Sequence, residues 1–230
     1  VSIASSTEKA DVRFSLGNTY NKGIMPNTSL NISNLNLAGT LRFNSKLTLD
    51  ANINYSRQYS DNFPDVNYGP NSVIYNMTIW GGADWNVADM RNYWQPGKEG
   101  VQSIYAEYQR YHNPYFMAYE WTRGHYKNDI YAYTSLTYKL NKYVDLFART
   151  SATTYDLMRN EKMPFSAHPY GREEGKGDYR EDKRNLFETN NEFRANFRIP
   201  EIANFFKING FAGGNFRQFN YNSNFTTTNY

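Results

Sequence analysis

Hydrophobic and polar residues alternate along several segments of the chain, and this is its strongest pattern. In segment 46–56, Leu47, Leu49 and Ile53 occupy odd positions, with polar residues such as Asp50 between them. Successive side chains of a β-strand point to opposite faces of a sheet. The alternation therefore predicts a strand with one apolar and one polar face.

The same alternation recurs further along the chain. Phe193 and Phe197 share one face, while Glu188, Glu192 and Arg194 share the other. Segments 10–20 and 206–217 alternate in the same way, and weaker versions cover 130–140 and 144–152. The apolar positions of segment 30–43 change from even to odd, and a β-bulge near residues 33–34 would restore a single apolar face. With a short remnant at 1–5, the pattern predicts about seven further strands.

The predicted connections between these strands differ in length. Short connections fall at 44–45, 141–142 and 200–204, and long ones at 21–29, 59–128 and 156–183. In an up-and-down sheet, successive connections alternate between the two ends, so all short turns lie at one end and all long loops at the other. Outer-membrane barrels have this asymmetry, with short periplasmic turns and long external loops.

The polar faces carry full charges, which two architectures explain differently. In a soluble β-sandwich this face meets solvent and the apolar face forms the core. In a barrel the polar face lines a wet lumen and the apolar face meets lipid. The lumen-facing candidates are Asp50, Arg149, Glu188, Glu192 and Arg194, and the lipid-facing candidates are Leu47, Leu49, Ile53, Phe193 and Phe197.

Strand length favours the barrel, because a spanning strand needs ~9–11 residues and these segments are long enough. An open sheet does not survive in a bilayer, where unpaired edge groups are costly. The fold class predicted is therefore all-β: a section of an antiparallel up-and-down transmembrane β-barrel, with the rest of the barrel before residue 1 and after residue 230. A soluble or surface-attached carbohydrate-binding β-sandwich is the alternative.

The composition of the chain excludes several other classes of protein. The chain has 230 residues, a net charge of +3 and no cysteine. A net charge this small does not indicate the strongly basic surface that binds nucleic acid. The absence of cysteine excludes disulfide scaffolds and thiol catalysis. No run approaches the ~18 apolar residues of a membrane helix. Aromatic residues make up 17% of the chain, so rings supply much of its apolar surface.

All tryptophans lie in the long connection 59–128. Within it, 70–80 has the proline start and glycine end of a short helix, and 84–94 predicts a further helical turn. Such rings suit stacking on sugars or packing against a partner protein. The candidates for contact with substrate or partner are Trp80, Trp85, Trp94, Trp121 and Tyr115. The alternative is that the rings form a core within the loop, with Trp80 and Trp85 deepest.

Catalytic and metal motifs do not stand out, and we expect no enzyme activity and no cofactor. The acidic residues of the run 171–184 are Glu173, Glu174, Asp178, Glu181 and Asp182. Their carboxylates suit calcium, but basic residues are interleaved with them, which favours a solvated external loop. Structural calcium in the external loops stays open, and the histidines lack metal-site spacing. A glycoside hydrolase would need a second carboxylate motif, which is absent.

The order of several segments resembles the barrel of SusC/RagA-family TonB-dependent transporters of Bacteroidetes outer membranes. The segments that carry the resemblance are Ser5–Lys9 before a strand, Tyr20–Asn27 at the first external turn, the amphipathic pair 36–43 and 47–57, and Asn113-Pro114-Tyr115 before a later strand. Many members of the family have Gly-Gly where this chain has Ser5-Ser6.

The resemblance implies a barrel of about 22 strands around a plug, of which this chain supplies part of the first half. It also implies active import of a glycan fragment or peptide across the bacterial outer membrane. The implied partners are the rest of the barrel and its plug, outer-membrane lipid, a SusD-like surface lipoprotein over the external face, and a TonB complex that acts through a missing N-terminal region. Nucleic acid is not among them.

Overall fold

The structure is a computed structural model that describes residues 1–66, 68–103, 111–167, 176–202 and 206–228. Its strands are β1 (Ser2–Ser6), β2 (Ala10–Lys22), β3 (Ser29–Arg42), β4 (Leu47–Ser60), β5 (Trp94–Gln95), β6 (Lys98–Gln102), β7 (Thr122–Lys139), β8 (Val144–Met163), β9 (Asp178–Ile202) and β10 (Phe206–Thr227). Its α-helices are α1 (Val73–Tyr75), which continues into a π-helical turn (Asn76–Trp80), and α2 (Pro114–Tyr119).

Eight strands form one antiparallel sheet in the order β1-β2-β3-β4-β7-β8-β9-β10. The sheet does not close in the described part of the chain, since β1 and β10 are not paired with each other. Consecutive strands are neighbours, and β5 and β6 form a separate hairpin inside the long connection. This is the up-and-down meander of a barrel section, as the alternation predicted.

All short connections lie at one end of the sheet and all long ones at the other. The short ones are 7–9, 43–46 and 140–143, and the β9–β10 connection lies outside the described residues. The long ones are 23–28, 61–121 and 164–177. The end with the long connections is called the outer end below, and the asymmetry that the sequence predicted is confirmed.

The strand register collects the apolar side chains on one face. Leu49 lies opposite Leu41 on one side and Leu136 on the other, and Ala148 lies opposite both Leu136 and Phe193. On β7 to β9 this apolar face is the more exposed one: Phe193 is 57% exposed, whereas Ser135 on the polar face is 6% exposed. Both faces of the edge strand β10 are exposed. The outer side of a curved sheet has this greater exposure, so the apolar face is the convex one.

The apolar face forms a band with clear limits. On β8 it runs from Val144 to Thr154, and on β9 from Phe187 to Phe197. This is about ten residues on each strand, which matches the ~9–11 residues that a strand needs to cross a membrane. Toward the outer end the same face becomes polar, in a row formed by Arg57, Asn128, Asp156, Asn185 and Asn222. Beyond that row both faces of the strands carry polar residues.

Two details of the sequence analysis are wrong. No bulge interrupts β3, because its register with β2 and β4 is continuous through Ser33 and Asn34. Leu30 and Ile32 therefore lie on the polar face, at the outer end. The strands also extend further than expected: the connection expected at 59–128 is 61–121, and the one expected at 156–183 is 164–177. Charged residues of the supposed external loop thus belong to β8 and β9.

The long connection contains short helices, as predicted. Ser72 caps α1, the π-helical turn follows, and Gly81 ends it. The turn expected within 84–94 is a single 3₁₀ turn, Asp89–Arg91. The hairpin of β5 and β6 was not foreseen. No helix among the described residues is both long enough and apolar enough to cross a membrane.

Candidate functional site

A cleft of about 350 Å³ lies at the outer end of the polar face. Its floor is the polar face of β7, β8 and β9, and its roof is the first part of the long connection, residues 63–66. Phe225 of β10 also lines it. The cleft lies beyond the polar row that ends the apolar band, since Arg159 follows Asp156 on β8.

The floor is a grid of charged residues that the strand register fixes. Two rows cross the three strands. The first row is Arg123, Glu161 and Arg180, and the second is His125, Arg159 and Asp182. These six residues are called the charged grid. Directly opposed side chains in antiparallel strands lie about 4.5–5.5 Å apart at Cβ, so each charge has its neighbours within reach.

Glu161 contacts both arginines of the first row. Its Oε1 accepts hydrogen bonds from Arg123 Nε at 2.9 Å and from Trp121 Nε1 at 2.7 Å. Its Oε2 lies 3.6 Å from Arg180 Nη1. The guanidinium of Arg180 also pairs with Asp178 at 3.0 Å. Charge-assisted hydrogen bonds of this kind hold side chains in fixed positions, so the first row is ordered without a ligand.

Arg159 is the least compensated cation of the grid. Its side chain is exposed, and its Nε lies 3.4 Å from His125 Nδ1. Asp182, which the register places opposite Arg159, pairs instead with Arg184 at 2.7 Å. In the part of the chain that the structure describes, no carboxylate lies within ion-pair distance of Arg159. On the neighbouring strand, Arg123 Nη2 is buried without a hydrogen-bond partner among the described residues.

The roof is attached to the floor through backbone groups. The Phe63 amide donates to the Arg123 carbonyl at 2.6 Å, and the Arg123 amide donates to Asn62 Oδ1 at 3.1 Å. The Phe63 ring stacks on His125, with centroids 5.1 Å apart. Asn62 Nδ2 also donates to the carbonyls of Asn27 and Ala118, at 3.1 and 3.0 Å. The side chain of Asn62 therefore ties together the roof, the β2–β3 connection and α2.

The long connection has a hydrophobic core of its own, which rests on the polar face. The core consists of Val73, Phe116, Met117, Trp121, Met163 and Ala167. Met163 belongs to β8 and lies in the same alternate positions as Arg159 and Glu161. The connection therefore folds over the polar, concave side of the sheet and leaves the apolar band uncovered.

Buried polar contacts join this core to the β8–β9 connection. Gln102, which is fully buried, donates from its backbone to Ser166 Oγ at 3.0 Å and from its side chain to the Ser166 carbonyl at 2.5 Å. Gln102 Oε1 accepts from the Asn113 amide at 3.2 Å. Asn113 in turn caps α2 by accepting from the amides of Tyr115 and Phe116. The Asn-Pro pair of the sequence is thus a helix start.

Two loop residues have raised pKa values. Burial and a hydrogen bond of 2.7 Å to Glu120 raise the pKa of the Tyr93 hydroxyl to about 12. The hydrogen bond between Arg91 Nε and the Tyr115 hydroxyl, 3.4 Å long, raises the pKa of Arg91. Neither group changes its charge near neutral pH, so both contacts act as permanent links within the connection.

The aromatic candidates from the sequence do not line the cleft. Trp121 is only 1% exposed and belongs to the loop core, so its ring offers no face to a ligand, which corrects that assignment. Trp94 is half-buried and packs edge-on against Phe116, with centroids 5.7 Å apart. The order of burial is the reverse of the one expected, because Trp80 is 40% exposed and stacks on Tyr111.

Trp85 and Tyr115 are half-buried. Tyr115 lines a second, smaller and mostly apolar pocket, of about 230 Å³, between the β2–β3 connection and α1. Contact of Trp80, Trp85, Trp94 and Tyr115 with a substrate or partner stays a prediction.

The charged candidates lie on the polar face, dispersed along it. Glu188 forms a two-pronged ion pair with Arg217, at 2.9 and 2.7 Å, and Arg194 lies 3.3 Å from Glu192. The Arg149 guanidinium donates to the Tyr131 hydroxyl at 2.8 Å, and Asp50 accepts from Thr40 at 2.6 Å.

The apolar candidates Leu47, Leu49, Ile53, Phe193 and Phe197 lie on the opposite face. Contact of the two faces with water and lipid stays a prediction.

Sequence analysis missed the charged grid because it assigned 156–183 to a loop. The signal was present: Arg159 and Glu161 alternate with neutral or differently directed residues, as do Asp178, Arg180 and Asp182. Interpreted as strand, this period of two places the charges on one face. Glu173 and Glu174, two of the carboxylates that suit calcium, lie outside the described residues. Glu181 pairs with Lys183 on the other face of β9, apart from Asp178 and Asp182.

Solved structures with the same architecture were found. The chain is similar to the RagAB peptide importer in its closed-closed state, with a TM-score of 0.68 and 12% identity, over 98% of this chain and 24% of that chain. The chain has the fold of a section of this importer. The open-open state gives the same TM-score, 0.68, and a further structure of the RagAB peptide transporter gives 0.67 at 13% identity.

The chain thus spans 24% of the length of the chains it matches. No protein-family model matches the sequence, and no curated protein matches it. At identities this low, the likeness concerns the fold alone: a section of an up-and-down β-barrel with long connections at one end.

Proposed function

We propose that the chain is part of the barrel of a SusC/RagA-like importer in a bacterial outer membrane. Its apolar band meets lipid, its polar face lines the wet path, and its long connections lie outside the cell. The cargo is a large nutrient, a glycan fragment or a peptide. The name of the RagAB importer favours a peptide.

The observation that carries this proposal is the apolar band on a single-layered sheet. Ile53 and Phe193 are 39% and 57% exposed, and no second sheet covers them in the described part of the chain. A soluble sandwich would bury this face, so the exposed band favours the barrel over that alternative. Hydrocarbon is the solvent in which such a face is stable, and the height of the band fits one bilayer.

The proposal includes two partners outside this chain. A TonB complex supplies the energy for import, and a SusD-like lipoprotein covers the external face. The outer end is suited to such a cover, because it carries exposed apolar side chains such as Ile24, Ile79 and Trp80 beside the second pocket. Co-purification of the intact transporter with a surface lipoprotein tests this part, and a transporter that is isolated alone from gently solubilised membranes contradicts it.

Uptake by cells tests the central proposal. Cells that express the intact transporter, and cells that lack it, receive labelled peptides and labelled oligosaccharides. We expect accumulation of one class only in cells with the transporter, and its loss when the proton-motive force is dissipated. Accumulation that is independent of the transporter, or that survives dissipation, would contradict active import through this barrel.

A further inference from the structure

We propose that Arg159 binds a carboxylate of the imported peptide at the outer mouth of the path. The inference rests on the proposed import function and adds a binding residue and a ligand chemistry to it. It concerns the cleft between the charged grid and the roof at 63–66.

The first step is the balance of charges within the grid. Its three arginines, Arg123, Arg159 and Arg180, face two carboxylates, Glu161 and Asp182, and histidine is counted as neutral. Glu161 pairs with Arg123, Arg180 lies between Glu161 and Asp178 from outside the grid, and Asp182 pairs with Arg184, also from outside the grid. The pairing therefore leaves one positive charge without an acidic partner in the described chain, and that charge belongs to Arg159.

The second step is the geometry around that charge. The register places Arg123 and Arg159 at diagonal positions on neighbouring strands, where long side chains reach a common point. Arg159 is exposed, while Arg123 Nη2 is buried and lacks a partner in the described residues. A carboxylate that enters the cleft would accept from the exposed Arg159 guanidinium, whereas the buried Arg123 Nη2 stays out of its reach. Arginine is well suited to this task because its planar fork matches the two carboxylate oxygens.

The third step is preorganisation of the floor. His125 is 6% exposed, lies under the stacked Phe63 ring and holds Arg159 Nε at 3.4 Å. Arg123 is fixed by Glu161 and by its position over the Trp121 ring, 4.8 Å from the centroid. A site that is ordered before the ligand arrives loses less conformational entropy on binding. His125 is thus a positioning residue for Arg159.

The fourth step is the class of ligand. A peptide with a free C-terminus carries a carboxylate, and acidic side chains add more, whereas a neutral glycan carries none. The cleft of about 350 Å³ is lined by three arginines and by the carboxylates of Asp65, Glu161 and Asp182. Arg159 has no carboxylate within ion-pair distance among the described residues, so a peptide carboxylate supplies a partner that a neutral oligosaccharide does not.

The experiment measures which peptides the intact transporter captures. Purified protein is incubated with an equimolar mixture of short Ala/Leu/Ser peptides, half with a free C-terminal carboxylate and half with a C-terminal amide, and bound peptides are quantified by mass spectrometry. We expect about tenfold enrichment of the carboxylate form, the size of one charge-assisted contact. A third set, amidated but with one internal glutamate, distinguishes a terminal from a side-chain carboxylate.

The variants locate the effect. Arg159→Gln should abolish the enrichment, and Arg159→Lys should retain part of it because the charge remains. Arg57→Gln is the matched control: it is an exposed arginine of the polar row on the opposite face of the sheet, outside the cleft, and should keep the full enrichment. Equal membrane levels and unchanged heat-dependent gel mobility show that each variant is folded.

Several results would overturn the inference. These are equal capture of the two peptide forms by the wild type, no capture of either, or enrichment that survives in Arg159→Gln. Capture of oligogalacturonate in preference to all peptides would show that the site takes an acidic glycan instead. Uptake that depends on the proton-motive force but does not distinguish the two peptide forms would remove the inference and leave the proposed import function standing.

Discussion

The eight-stranded sheet, called the wall below, and the long connection at 61–121 differ in what surrounds their apolar side chains. In the wall, Leu49, Ile53 and Phe193 share a face that no protein layer covers within the described chain. In the connection, Phe116, Trp121 and their neighbours form a closed core that is almost fully buried. The wall thus depends on its surroundings for stability, whereas the connection depends on packing within the protein.

The largest effect is expected from the core of the connection. Trp121→Ala removes a buried ring and its hydrogen bond to Glu161, which should cost the connection about 3–5 kcal/mol of unfolding free energy. We expect rapid proteolysis within 61–121, with normal insertion of the barrel. Trp80→Ala, at an exposed ring, is the control and should change little. Loss of the variant from the membrane would show that wall and connection are not separable.

The second prediction addresses the wall. Leu49→Arg places a charge on the apolar band and should cost about 2–4 kcal/mol if the site lies near the bilayer centre. The amount of assembled barrel in the outer membrane should fall, as measured by heat-dependent gel mobility. Thr48→Arg introduces the same side chain on the polar face, one residue away, and should assemble. Equal assembly of both variants would contradict the assignment of lipid to this face.

A smaller effect is expected from the cap of α2. Asn113→Ala removes the acceptor for the amides of Tyr115 and Phe116 and should cost about 1 kcal/mol. Faster hydrogen exchange of the α2 amides would reveal it. Asn92→Ala, at an exposed position of the same connection, serves as the control. Unchanged exchange in Asn113→Ala would mean that packing alone holds the helix.

The smallest effect appears only in alkali. The pKa of Tyr93 is raised to about 12 in the folded connection, and an unfolded tyrosine has a pKa of about 10. The stabilisation is therefore complete below about pH 10 and is lost as the pH rises toward about 12. Near-ultraviolet circular dichroism of the loop should change over that interval. The change should be weaker in Tyr93→Phe, and an identical pH profile in that variant would contradict the assignment.

The sequence predicted the wall well and the cleft poorly, for a physical reason. Alternation with a period of two is a local property, so segments such as 46–56 reveal the strands and their faces directly. The charged grid depends on the register between β7, β8 and β9, which brings Arg123, Glu161 and Arg180 into one row. Residues that are 19 or more positions apart in sequence meet there, and one sequence alone does not give that register.

The aromatic residues of the connection show a second limit. Trp121 and Trp80 belong to the same connection, yet Trp121 is buried and Trp80 is 40% exposed. The difference arises because Trp121 directly precedes β7 and is held against Glu161, whereas Trp80 ends the π-helical turn. Burial in an irregular segment is decided by such tertiary contacts, which no periodic pattern encodes.

The strands continue past the polar row that ends the apolar band, and the cleft stands in this extension. At physiological ionic strength, the range of an unpaired charge in water is only about 8 Å. In the proposed role, Arg159 therefore does not attract a peptide from a distance. Its electrostatic attraction acts only on molecules that are already within about 8 Å, in or beside the cleft. A higher salt concentration would weaken the proposed contact of Arg159 with a carboxylate, while the sheet, whose strands are joined by backbone hydrogen bonds, would be unaffected.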